Sequence, residues 1–321
     1  MLYGAGKYTY ELVDWRAKYP DRWSPIEVNG LAIDSHDRLY AFNTGEYPVT
    51  VFDREGNLLK TWGQKYIEHS HGAFIGPDDS VYYADDGNHT VSKFTPEGKL
   101  LFTLGKKGQP SDTGFTWVSE TGKRLNLFEA IATVKRSGPP FNSPTGVALS
   151  ASGEIYVSDG YGNARVHKFS RDGKPLFSWG EPGKAPGQFI VPHAVAVDKR
   201  ERVLVADRHN NRIQIFDARG KYLAEWGDLL LPTSIFIDKE DTVYVAELHP
   251  RLSIFNRDGK LLARWGNEGR DKDDPLFVNL HAIAVDSRGD IYVAEVMGIH
   301  KGTPFLASRA TRMIQKFSRK T

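Results

Sequence analysis

VPHAVAVDKRERVLVADRHNNRIQIFDARGKYLAEWG, residues 191–227, is the clearest copy of a phrase that returns along this chain. Apolar residues alternate through Ala194-Val195-Ala196-Val197 and again through Val203-Leu204-Val205, the period of a strand with two different faces. Ile213, Ile215 and Phe216 belong to a third strand, and Tyr222 to Trp226 to a fourth. The joints are Lys-Arg-Glu-Arg, His-Asn-Asn and Ala-Arg-Gly, where Asn and Gly tolerate turn dihedrals. Four short antiparallel strands in a unit of about forty residues make one blade of a β-propeller, not a helical repeat.

Copies of the phrase open at Asn29-Gly-Leu, His71-Gly-Ala, Thr145-Gly-Val, His193-Ala-Val, Thr233-Ser-Ile and His281-Ala-Ile. They cover residues 28–63, 71–105, 143–180, 191–227, 231–266 and 280–317. The last has no fourth strand of its own. The segment from Tyr8 to Trp15 has strand character, and it supplies the missing strand if first and last blades join, which hides the sheet edges. The expected fold is therefore all-β, one six-bladed propeller over residues 1–321 closed by an N-terminal strand. Trp62, Trp179, Trp226 and Trp265, with Leu104 in the same place, are expected to pack between blades. Phe52, Phe94, Phe169, Phe216, Phe255 and Phe317 are core residues by the same reasoning. Insertions at about 106–142 and 297–312 break the repeat, and each is either a lid or binding loop or a surface elaboration.

Composition excludes more than it selects. Forty-two basic against 40 acidic residues leave a net charge of +2, too weak a field to indicate nucleic acid or an anionic membrane as partner. There is no cysteine, hence no disulfide or thiolate chemistry, and no apolar run of membrane-spanning length. The start MLYGAGKYTYELVDW has no apolar signal core, so a cytoplasmic location is expected.

The first residues of the six openers read Asn, His, Thr, His, Thr, His. Equivalent positions on the innermost strands of a propeller form one ring about the axis. His71, His193 and His281 then converge from alternate blades, three imidazoles with a fourth position open, which suits a catalytic zinc ion. The bland reading is a set of histidines hydrogen-bonded across the channel. His69, two residues from His71, is out of phase with the repeat and is expected to be a bystander. A second ring lies where the second strands end, at Asn43-Thr44, Asp85-Asp86, Asp159-Gly160-Tyr161, Asp207-Arg208, Glu247 and Glu295. Most of these acids are expected to cap turns and tie adjacent strands. Tyr161 and Arg208 differ: the phenol can give or take a proton, and the guanidinium can clamp an anion.

The segments around His71-Gly, Ser158-Asp-Gly-Tyr161, Pro192-His193 and Ala206-Asp-Arg208 resemble the NHL-repeat propellers. More narrowly, they are similar to the peptidyl-α-hydroxyglycine α-amidating lyases. That resemblance implies zinc on His71, His193 and His281, Tyr161 as catalytic base, and Arg208 in the active site. The family's second arginine falls on Thr44, next to Asn43, so any substrate contact there passes to uncharged groups. A calcium-binding aspartate falls on Ala282, which leaves only main-chain oxygens equivalent to Leu31 and Ala73 for a calcium ion. The family's disulfides are absent.

Three functions remain open on this reading. The first is a zinc-dependent lyase acting on a small α-hydroxy or α-hydroxyamide-like molecule. The second is metal-dependent hydrolysis of a lactone or ester on the same site. The third is a non-enzymatic NHL module that binds protein or RNA.

Overall fold

Each copy carries a short signature in its second strand: Leu39–Asn43, Val81–Asp85, Ile155–Asp159, Val203–Asp207, Val243–Glu247 and Ile291–Glu295 read LYAFN, VYYAD, IYVSD, VLVAD, VYVAE and IYVAE. All thirty of these residues are buried. A strand covered on both faces has no reason to alternate, so an apolar run ending in one polar group is what the position selects. The computed structural model describes residues 1–20, 23, 25, 27–267, 275–296 and 313–320, and it arranges six antiparallel sheets in a ring. The first strands, Val28–Ile33, Ser70–Ile75, Pro144–Leu149, Pro192–Val197, Pro232–Ile237 and Leu280–Val285, meet one another around the axis. The expected insertion at 297–312 lies outside the described residues. No helix among the described residues is long and apolar enough to cross a membrane.

Closure comes from the N-terminus. Tyr8–Val13 pairs antiparallel with Ile314–Lys320, setting Leu12 opposite Phe317 and Val13 opposite Lys316. Tyr8 and Tyr10 bury their rings against the core of blades five and six. The strand stops at Val13, short of the expected Trp15. The Trp15 indole instead donates to the Arg54 carbonyl at 2.9 Å and packs on Phe52 and Tyr292, which spans blades one and six. Leu2–Ala5 adds an unforeseen fifth strand to the closing sheet by a hairpin with Tyr8–Val13.

Neighbouring blades lock through one repeated contact. The residue that ends a blade's outer strand lies on a glycine in the next blade's third turn: Trp62 on Gly98, Leu104 on Gly173, Trp179 on Gly220 and Trp226 on Gly259. At Gly98, φ is +85°, a conformation L side chains rarely adopt. A methyl group there would meet the Trp62 indole at 2.7 Å. The expectation that these large side chains pack between blades is met, and the facing glycine is its second half.

On the opposite face from the site, Asp37, Asp79, Glu201 and Asp241 hold positive φ in the first turns, a costly state for residues with a Cβ. Their carboxylates accept from the turn of the preceding blade: Asp79 from the Ser35 amide at 2.9 Å, Asp37 from Ser287 at 2.8 Å, Glu201 from Ala151 at 3.1 Å and Asp241 from Lys199 at 3.2 Å. The interblade bond offsets the backbone cost. Gly98→Ala is expected to destabilise the protein by roughly 2–4 kcal/mol, strain and overpacking together. Gly122→Ala, at φ +81° but with nothing within 4 Å, should cost only the backbone share of about 1 kcal/mol. Urea unfolding of the two variants checks the difference.

Candidate metal centre and active site

The three opener histidines meet on the axis. Their ring centroids are 4.7, 4.8 and 4.9 Å apart, and all three side chains are buried. One nitrogen from each lies within 4.8 Å of the others. The remaining nitrogen of each ring is spent on the next blade. His71 Nδ1 donates to the Thr145 carbonyl at 2.6 Å, His193 Nδ1 to that of Thr233 at 2.6 Å, and His281 Nδ1 to that of Asn29 at 2.8 Å. A carbonyl accepts only, so each Nδ1 carries the proton and each Nε2 presents its lone pair to the axis.

The gap residues complete the circuit. Thr145 Oγ1 reaches the Pro192 carbonyl at 2.7 Å, just before His193, and Thr233 Oγ1 reaches that of Leu280 at 3.0 Å, just before His281. Asn29 Nδ2 contacts Ser70 Oγ at 3.4 Å, just before His71. Six hydrogen bonds thus run around the channel, histidine to gap residue to histidine. Alternation in the sequence is alternation of two donor types in one closed ring.

Tyr161 and Arg208 both reach this centre. The Tyr161 hydroxyl lies 3.0 Å from His71 Nε2, 3.1 Å from His193 Nε2 and 3.3 Å from Arg208 Nη1. The Arg208 guanidinium also lies over the Tyr161 ring, 5.1 Å from its centroid. Burial raises the Tyr161 pKa, and the charge of Arg208 pulls against that rise. Burial also lowers the imidazole pKa values: well below the usual range for His71 and His193, and to about 4 for His281.

Local sequence explains the placement. The turn that carries Tyr161 is held from the 106–142 insertion: Thr113 Oγ1 donates to the Gly162 carbonyl, and Asn142 donates its amide to Asp159 and its side chain to Ser111. Arg208 starts the short 3-10 turn Arg208–Asn210, and the buried Asp207 carboxylate accepts from Asn210 at 2.8 Å and Arg212 at 2.9 Å. The acids at the second-strand ends do tie turns and strands, as Glu247 does with the Leu230 amide, Arg251 and Ser253.

The remaining predicted site residues divide. Thr44 sits beside the ring, its Oγ1 accepting from Asn29 Nδ2 at 2.9 Å. Asn43 does not reach it: its side-chain amide donates to Ala41, Tyr47 and Thr50 within blade one. Leu31 and Ala73 line the channel beyond the histidines, a cavity of about 230 Å³ walled mainly by aliphatic side chains. No lining residue there carries a carboxylate, so calcium would find only neutral oxygens and no negative charge to balance it. The histidines suit zinc or another imidazole-preferring metal, since small ring movements bring three nitrogens to zinc–nitrogen distances of about 2.0–2.1 Å. His69, out of phase with the repeat, pairs with Asp86 at 2.6 Å, which raises its pKa. That pair at the mouth of the site, and His209 beside Arg208, carried no repeat signal and were not foreseen.

A propeller with three imidazoles on its axis and a Tyr–Arg pair above them is the class the structure defines. The NHL repeat family model matches residues 141–169 and 189–216. Human (Homo sapiens) NHL repeat-containing protein 3 is 32% identical over 269 residues, covering 77% of this chain and 70% of that protein. The chain belongs to the NHL-repeat family. It is also similar to amidating enzymes. The peptidylglycine α-amidating monooxygenase of Rattus norvegicus is 34% identical over 64% of this chain, which spans 22% of that longer protein. The peptidyl-α-hydroxyglycine α-amidating lyase 1 of Drosophila melanogaster is 34% identical over 31% of this chain and 20% of its own length. Among solved structures, a gluconolactonase from Xanthomonas campestris has a TM-score of 0.61 at 12% identity, covering 97% of this chain and 90% of that one, a likeness of fold alone.

Two outcomes test the ring. Thr233→Val keeps shape but removes the donor that seats the strand before His281. Zinc affinity, measured against a chelator, should weaken by about 10-fold or more, as for loss of a partner behind a ligand. The second concerns acid. A folded pKa of about 4 for His281 lies below its unfolded value, so the unfolded chain takes up protons first. Melting temperature of the metal-free protein should hold above pH 6.5 and fall as the pH drops from 6.5 towards 4; a flat profile over that range would contradict the burial argument.

Proposed function

We propose that this protein is a metal-dependent lyase, with zinc as the metal, acting on a small α-hydroxy or α-hydroxyamide-like substrate at the mouth of its central channel. The observation that carries the reading is the Tyr161 hydroxyl at 3.0 and 3.1 Å from two axial Nε2 atoms, with Arg208 at 3.3 Å. His71, His193 and His281 would hold the dication, which would supply Lewis acidity and positive charge at that point.

The chain's own residues do the rest. Arg208 is buried, with its Nε lacking a hydrogen-bond partner, and it binds the anionic end of the substrate. Tyr161 moves the proton. The substrate hydroxyl loses its proton, a carbonyl forms, the carbon–nitrogen bond breaks, and the nitrogen takes up a proton to leave as an amide. The charge of Arg208 and its hydrogen bond favour the phenolate that accepts the first proton, against the upward pull of burial. Thr44 offers a hydroxyl where the amidating relatives' resemblance implies an arginine, which favours a smaller or less charged substrate than a peptide carboxylate.

Tyr161→Phe should lower kcat on an N-acyl-α-hydroxyglycine by about 10²-fold or more while metal content stays near one ion per chain. Full turnover in that variant would end the proposal. Reaction in ¹⁸O-water separates the alternative: ester or lactone hydrolysis puts solvent oxygen into the carboxylate product, and the lyase leaves the released amide unlabelled.

A further inference from the structure

A second cavity lies against the turns that carry Tyr161 and Arg208. It has a volume of about 520 Å³ and lies between the insertion helix Leu127–Ile131 and the segment around residues 182–191. Two of its wall positions are Gly160 and His209. Each is one residue, ~3.8 Å between Cα atoms, from Tyr161 and Arg208 respectively. The cavity is therefore built from the backbone that places the reacting groups.

Its lining is largely apolar; of its three polar side chains, Asn163 is already bonded to Gly138 and Asp159, Lys184 is exposed, and His209 is left over. Phe128, Ile131, Phe189 and Val191 supply hydrocarbon walls. Both ring nitrogens of His209 are buried there without a hydrogen-bond partner, which is rare for a native side chain and calls for a guest or a water. The Phe128 ring lies across His209, with centroids 5.2 Å apart at 77°, yet 59% of Phe128 is exposed. A large aromatic left this open beside an unsatisfied imidazole forms half of a clamp. The helix that presents Phe128 is fixed by a full capping box between Asn126 and Glu129. On the far side, Asn210 Nδ2 donates to the Gly183 carbonyl at 2.9 Å, so the second wall is fixed too. Burial and the charge of Arg208 lower the His209 pKa to about 4, which leaves one donor and one acceptor on the ring at neutral pH.

We infer that this cavity is the substrate's second subsite: it takes an apolar, preferably aromatic, acyl group on the nitrogen side of the bond that breaks, with His209 hydrogen-bonding the adjoining amide. The inference rests on the lyase reading for which bond lies at Tyr161, but the cavity's choice of guest can be measured without turnover. It also gives the 106–142 insertion a task, binding rather than surface elaboration.

The test compares N-benzoylglycine with N-acetylglycine, two unreactive ligands, by calorimetry on the zinc-loaded protein. N-Benzoylglycine should bind about 10-fold or more tighter, the burial of one phenyl ring. Ala132→Trp, an exposed position on the cavity wall, should abolish that preference by filling the space and leave N-acetylglycine affinity unchanged. His209→Phe should weaken the benzoyl ligand several-fold while leaving metal content unaltered. Equal binding of the two ligands, or a preference that survives both variants, overturns the subsite. A benzoyl preference lost in Ala132→Trp, without cleavage of N-benzoyl-α-hydroxyglycine, upholds the subsite and counts against the lyase.

Discussion

The circuit of six hydrogen bonds around the axis is the constraint on which the site depends. Each imidazole is held by a main-chain carbonyl of the adjacent inner strand, and each gap residue donates onward to the strand that carries the next imidazole. The bonds cost little to satisfy because the inner strands already converge. What they decide is tautomer: with Nδ1 committed as donor, the three Nε2 lone pairs can only face inward. Three neutral imidazoles bring no negative charge to the axis, so a dication held there would keep most of its positive charge, the Asp86 carboxylate at the mouth being paired with His69. That charge is then available to a substrate oxygen and to the phenol beside it.

The ring holds its diameter because the blades interlock at their outer edges and on the opposite face. Tryptophan against a left-handed glycine sets the angle between successive sheets, and acidic residues at positive φ tie the first turns together. The N-terminal strand supplies the outer strand of the sixth blade, so the ring closes between residues at opposite ends of the chain. A three-fold site on a six-fold frame follows when every second inner strand carries the ligand.

Much of this was legible in the sequence because the propeller is periodic. The Asn-His-Thr-His-Thr-His succession is enough to place three histidines on one ring, and Tyr161 and Arg208 stand out at second-strand ends where turn residues are expected. The period also misled at Asn43, which occupies the same repeat position as the buried acids and serves its own blade, not the channel. His209, Phe128 and the His69–Asp86 pair were not legible for the opposite reason. They lie in turns and in an insertion, where contacts are set by tertiary packing and the repeat has nothing to say. Leu2–Ala5 was missed because Gly4 and Gly6 interrupt any alternation in so short a strand.

X-ray absorption at the metal edge of the protein purified with zinc tests the central claim most directly. The account predicts a single site per chain with three imidazole nitrogens at about 2.0–2.1 Å and one further oxygen ligand, and loss of the imidazole signature in His193→Ala. A protein that takes up no metal at micromolar zinc, or binds it through oxygens alone, would contradict it and leave the three histidines as structural hydrogen-bond donors.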